Sequence, residues 1–189
     1  MRRIIVQEMI TVDGFFAGPN GEIDWHVVDD EFNEYAIATL DTADAHLYGR
    51  VTFEGMASYW PTPVAATDDP IVANKMNSTA KYVFSKTLDR AEWGTWDNAH
   101  LLQGDMAEET ERLKQQSGEN IFIFGSGSIV SALTRLGLVD EYRLFVNPVV
   151  LGSGRPLFTS VPESFKLQLL SSRQFGSGNV LLTYAPVKA

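Results

Sequence analysis

Ile121-Phe122-Ile123-Phe124-Gly125-Ser126-Gly127-Ser128-Ile129-Val130 is the stretch whose reading decides the fold. Its first four residues alternate β-branched and aromatic side chains, which predicts a short buried strand. Gly125 and Gly127 end it. Ile129, Val130, Leu133 and Leu136 then recur at helical spacing and give the next segment one apolar face, while Gly137 suits a helix C-terminus. Strand, glycine turn and amphipathic helix in that order form the repeating unit of an α/β sheet. Small residues in such a turn let a pyrophosphate or a ribose lie against the backbone, where the helix N-terminus offers free N–H groups. An ordinary tight turn with serine as N-cap would carry the same residues. A Rossmann fingerprint is not present, because Val130 takes the place of its third glycine. The acid expected at the end of the following strand is also missing, Asp140 and Glu141 standing at that strand's start.

Working outward, residues 3–10 are a β-branched apolar run and predict a buried strand, followed by a long loop over 13–26. Asp29 or Asp30 can cap a helix that carries Phe32, Tyr35, Ala36 and Leu40 on one face. A short strand over 45–48 runs into Gly49-Arg50, with a short helix from Val51 to Met56. Pro61, Pro63 and Asp68-Asp69-Pro70 read as an irregular surface stretch. Strands are expected at 81–84 and 100–102, and a helix from Asp105 to about Gln116 opens with a capping-box-like pair, Asp105 and Glu108. After Glu141 the pattern changes to strands, and 165–174 and 179–185 flank Gly176-Ser177-Gly178 as a hairpin. The prediction is one domain over residues 1–189, α/β in class, with a central mixed, mostly parallel sheet, flanking helices and an antiparallel C-terminal hairpin.

In open α/β sheets ligands collect beyond the carboxyl ends of the strands. Two further strand ends carry suitable residues. Gly49-Arg50-Val51-Thr52 combines a close-approach glycine with a cation and a helix N-terminus. Ser85-Lys86-Thr87 offers hydroxyls and an ammonium that could hold a ribose 2′-phosphate. Plain surface turns would look the same one at a time. Pro148 through Phe158, with Gly152 and Gly154 inside it, is a glycine-rich stretch able to wall a pocket or merely to connect strands.

Composition narrows the rest. The chain has 189 residues, a net charge of −9 and no cysteine. Disulfides, thiolate metal sites and cysteine nucleophiles are excluded. No basic run offers a nucleic-acid or anionic membrane surface, so neither is expected as a partner. Gln7, Glu8 and Asp13 interrupt the apolar N-terminal run and argue against a signal peptide. Neither a Walker A lysine motif nor a Gly-x-Ser-x-Gly elbow is present, and His26, His46 and His100 lack metal-ligand spacing. The expected location is cytoplasmic.

Taken in order, these motifs resemble the dihydrofolate reductase-like proteins related to the reductase domain of the bifunctional riboflavin-biosynthesis deaminase/reductase. The resemblance spans nearly the full length. It rests on Thr11-Val12-Asp13-Gly14-Phe15, Gly49-Arg50-Val51-Thr52, Val83 through Leu88, Ile123 through Gly127, Gly137 through Glu141 and Pro148 through Phe158. It implies a three-layer dihydrofolate reductase-like fold, NADPH as hydride donor and a homodimer. Gly49, Arg50, Val51 and Thr52 would hold the pyrophosphate side, and Ser85, Lys86 and Thr87 the adenosine phosphate. Gly125, Ser126, Gly127, Ser128 and Ile129 would lie under the cofactor. Asp13 and Trp25 would face a small-molecule substrate, with Val12, Phe15, Pro148, Gly152, Gly154 and Phe158 walling it. Asp13, in a partly apolar loop, is the expected proton donor or substrate anchor, with a raised pKa. The substrate would be a small heterocycle or carbonyl compound, such as a riboflavin-pathway-like pyrimidine. A nucleotide-binding regulatory module without turnover, and a true dihydrofolate reductase, are the alternatives.

Overall fold

A computed structural model describes residues 1–159, 161 and 163–187. Its centre is an eight-stranded sheet built around β1 (Ile4–Thr11). To one side lie β6 (Asn120–Phe124), β3 (Ala43–Gly49), β4 (Ala80–Phe84) and β5 (Ala99–Leu102), all parallel. To the other lie β7 (Glu141–Asn147), parallel to β1, then β10 (Val180–Pro186) and β9 (Leu167–Gln174), which run antiparallel. The order is β5-β4-β3-β6-β1-β7-β10-β9. The mixed sheet and terminal hairpin expected from the sequence are both present.

Strand alternation sorts the helices into two layers. On one face α5 (Met106–Gln115) and α6 (Gly127–Arg135) cover Ile4, Val6, Leu47, Ile121 and Ile123. On the other α1 (Asp30–Leu40), α2 (Arg50–Tyr59) and α4 (Pro70–Ser78) cover Tyr48, Val83, Phe124 and Phe145. The chain leaves β1 toward the α1 face and leaves the neighbouring β6 toward the α6 face, so a crevice opens between their ends.

Residues 61–70 are more ordered than expected. Pro63 opens a short helix α3 (Pro63–Asp68) capped by Thr62, and Pro70 opens α4 capped by Asp69. A proline in the first helical turn removes an N–H that has no partner there anyway. The 13–26 loop is also not wholly irregular. It contains β2 (Phe15–Ala17), which pairs with β8 (Arg155–Pro156). Asp105 caps α5 through Ala107 and Glu108 N–H, as expected, and α2 is longer than the expected 51–56. No helix among the described residues is long and apolar enough to cross a membrane.

Candidate functional site

A cleft of ≈ 1420 Å³ lies over the carboxyl ends of β1, β6 and β3. A site for one small molecule usually encloses about 300–1,000 Å³, so this cleft has room for a large ligand and a second one beside it.

One wall is made by two glycine turns. Gly49 caps α2 with no side-chain hydrogen bond, which leaves the first N–H groups of that helix free toward the cleft. The second turn follows β6. Gly125 has φ +66°, and a Cβ there would lie 2.9 Å from Thr52 Cγ2. Ser126, also left-handed at φ 62°, is the one such non-glycine residue among the described residues. A left-handed residue other than glycine costs about 1–2 kcal/mol. Here the cost is offset by two bonds that tie the turns together. Ser126 Oγ accepts the Gly49 N–H at 3.0 Å, and the Ser126 N–H donates to Thr52 Oγ1 at 2.9 Å. Ser126 is the N-cap residue of α6, yet its hydroxyl caps nothing in that helix. At Gly127 a Cβ would sit 2.5 Å from the Phe16 ring, so glycine lets the β2 loop close on the α6 N-terminus.

Of the residues assigned to the cofactor from sequence, Gly49, Arg50, Val51, Thr52, Ser85, Gly125, Ser126, Gly127, Ser128 and Ile129 line this one cleft. Lys86 and Thr87 are exposed on the adjoining turn and do not line it. That turn is built by Ser85, whose Oγ accepts the N–H groups of Thr87 and Leu88. Arg50 reaches Glu54 along its own helix at 2.8 Å.

The substrate side departs from expectation. Asp13 lies outside the cleft and is exposed. Its carboxylate takes the Thr11 hydroxyl at 2.5 Å and the Gly152 and Leu151 N–H groups at 2.7 and 3.3 Å. The Thr11 hydroxyl first, and those N–H groups next, hold its pKa below the ordinary value. The expected raised pKa is therefore corrected: Asp13 is an ionised clamp between two loops, and a poor proton donor. Val12, Phe15, Trp25, Pro148, Gly152 and Phe158 do not line the cleft either, whereas Gly154 does. The Trp25 indole bonds back to Glu22 O at 3.2 Å and packs edge-on against His26. Gly154 is where β8 meets β2, and a Cβ there would strike Ala17 O at 2.5 Å.

Other residues line the cleft on that side. His26, Asn33, Phe16, Arg155 and Glu8 line the cleft. His26 is partly buried, its Nε2 has no partner among the described residues, and burial pushes its pKa down to about 4, so it is neutral at pH 7. Asn33 is the polar residue that α1 turns to the cleft, beside Phe32, Ala36 and Leu40. The acids Glu31 and Glu34 do not reach it, and Glu31 is engaged by Arg173 and the Gly176 N–H, both at 2.8 Å. Glu8 was visible in the sequence as an ionisable residue inside a buried strand. His26 and Asn33 gave no signal, since their placement depends on how the loop and α1 fold over the sheet. No cluster of metal ligands occurs among the described residues.

Residues 2–181 match the family described as RibD C-terminal domain. The uncharacterized protein YyaP of Bacillus subtilis (strain 168) is 36% identical over 185 residues, covering 97% of this chain and 94% of its own. Among solved structures, a putative riboflavin biosynthesis protein from Shewanella sp. PV-4 superimposes with a TM-score of 0.78 at 22% identity, covering 98% of this chain and 99% of that one. Dihydrofolate reductase from Enterococcus faecalis, complexed with NADP(H), gives 0.64 at 15% identity over 98% and 97% of the two chains. The fold is thus dihydrofolate reductase-like, and the chain belongs to the RibD C-terminal domain family.

Proposed function

We propose that this protein is an NADPH-dependent reductase of a small heterocyclic or carbonyl substrate, related in chemistry to the pyrimidine reduction of riboflavin synthesis. The observation that carries this is the cross-laced pair of turns, Gly49–Thr52 and Gly125–Ile129, which open two helix N-termini onto one cleft. Free N–H groups at a helix start suit a pyrophosphate, and the residues present fit a dinucleotide. Gly49 to Thr52 would hold its pyrophosphate, Ser85 with Lys86 and Thr87 at the rim its adenosine phosphate, and Gly125 to Ile129 the backbone floor. When bound, a dihydronicotinamide supplies hydride. The chain's own task is to orient the substrate and exclude water, with Phe16, Phe124 and Ile129 among the apolar residues of the wall. Folate is the weaker substrate reading, because α1 turns an amide, Asn33, rather than a carboxylate toward the cleft.

Thermal shift with NADPH and NADH, on wild type and Lys86→Ala, tests the cofactor. The expected result is a larger shift with NADPH that the variant loses. No shift with either nucleotide would end the reductase reading.

The protein is further proposed to be a homodimer formed through β9. That edge strand exposes Leu169 and Leu170, 51% and 49% accessible, beside unpaired backbone groups. Leu169→Glu is expected to halve the mass measured by light scattering.

A further inference from the structure

Glu8 is the residue the motifs leave unexplained. It lies near the carboxyl end of β1, opposite Leu144 of β7 in the parallel register. Its neighbour Gln7 turns to the α1 face, where it accepts the Tyr35 hydroxyl at 3.5 Å. Alternation sends Glu8 to the α6 face, above Val6 and toward the glycine turn. It is only 5% exposed, and its Oε1 is buried with no hydrogen-bond partner among the described residues. What accessibility remains is toward the cleft that the cofactor turns line.

A buried carboxylate without a counter-ion is costly, and such a group takes up a proton instead. Burial drives the Glu8 pKa well above the ordinary carboxylate value, opposed only by the Gly125 backbone N–H. No charged side chain contributes. Leu144 of β7 stands opposite it in the register and Gly125 follows the end of β6; neither titrates, nor do Phe16 and Gly127, which line the same cleft. A neutral carboxylic acid has one O–H to donate, and no acceptor for Oε1 lies among the described residues. Glutamine or leucine would sit in this strand at less cost, so the acid is an expense that folding alone does not require.

We propose that Glu8 is a catalytic residue: the general acid that protonates the substrate as hydride arrives. This rests on the reductase reading above. Hydride forms the new C–H bond at the carbon of a C=O or C=N group. The π electron pair moves onto the heteroatom, which takes the carboxyl proton of Glu8. The substrate gains two electrons at the expense of dihydronicotinamide, and Glu8 is left as a carboxylate that water reprotonates. The substrate class that fits is a ketone, aldehyde, imine or ring C=N, placed with its heteroatom toward β1.

Infrared spectroscopy at pH 7 tests this directly. A neutral carboxylic-acid band is expected in wild type, absent from Glu8→Gln, and displaced when NADPH fills the cleft. Thermal melts give a second readout. The unfolded chain releases the Glu8 proton near pH 4.3, whereas the folded chain holds it to higher pH, so rising pH favours unfolding. Glu8→Gln removes this term, and its melting temperature is expected to exceed wild type by a margin that widens above about pH 4.3. With an acceptor that supports NADPH oxidation, kcat is expected to fall about 10²-fold or more while NADPH binding holds. An ionised Glu8, a margin independent of pH, or an unchanged kcat overturns the role. NADPH stabilising both proteins while the acid band is missing would sink this inference and spare the reductase reading. NADPH stabilising neither removes that reading and the hydride partner this role requires.

Discussion

The Ser126 hydroxyl accepts the Gly49 N–H at 3.0 Å, joining two residues 77 positions apart and setting the spacing of the two helix N-termini that face the cleft. One buried oxygen therefore aligns both halves of the proposed dinucleotide site. The bond also accounts for serine at a left-handed position, where glycine would be free of strain.

Ser126→Ala keeps the strain and leaves the Gly49 N–H without its acceptor. It is expected to destabilise by about 1–3 kcal/mol in denaturant melts and to weaken NADPH binding. Ser126→Gly loses the same bond but gains a residue that accepts φ 62°, so it is expected to fall between wild type and alanine. An alanine variant as stable as wild type would refute the bracing role.

Asp13 makes a different prediction from the one its loop suggests by sequence. Asp13→Asn keeps the shape and weakens the acceptor of the Gly152 and Leu151 N–H groups. Faster hydrogen exchange at those two amides is expected, with NADPH affinity unchanged and any kinetic effect falling on substrate KM. A collapse of kcat with unchanged exchange would restore it as a proton donor.

Acid should unfold this protein in part through His46. It is fully buried in β3, with Nδ1 against the Tyr48 hydroxyl at 3.2 Å and Nε2 without a partner among the described residues. Burial, and then the nearby Lys81, push its pKa down to about 3. The unfolded chain takes up a proton near pH 6.5, while the folded chain does so only near 3, so stability falls as pH drops through this window. Between pH 6.5 and 5 the loss from this group is about 2 kcal/mol. His46→Gln is expected to show a shallower decline over the same range in denaturant melts. Equal slopes would mean that His46 is not held neutral.

The strand-end motifs were readable because glycine and serine at 49 and 125–127 answer a local demand, close backbone approach and left-handed φ. That demand is set within a few residues of chain. The substrate side was not readable for the opposite reason. Whether Asp13 faces a ligand or a neighbouring loop is decided by Leu151 and Gly152, which arrive from 138 residues away or more. Trp25 looked like a pocket aromatic, but the turn at Glu22 folds its indole back. Pro63 and Pro70 were read as breakers because proline's first-turn role shows only when Thr62 and Asp69 are recognised as caps. Glu8 was in plain view, but its meaning required knowing that no partner among the described residues reaches its Oε1.

The clamp at Asp13 takes its loop donors from the main chain of residues 151 and 152. Any amino acid except proline supplies that N–H, so the bonds themselves do not read the side chain, and only the backbone conformation restricts which residue stands there. Leu151 can therefore be exchanged while the loop keeps its anchorage, whereas Gly152, at φ +72°, is held to glycine by its own backbone rather than by the clamp.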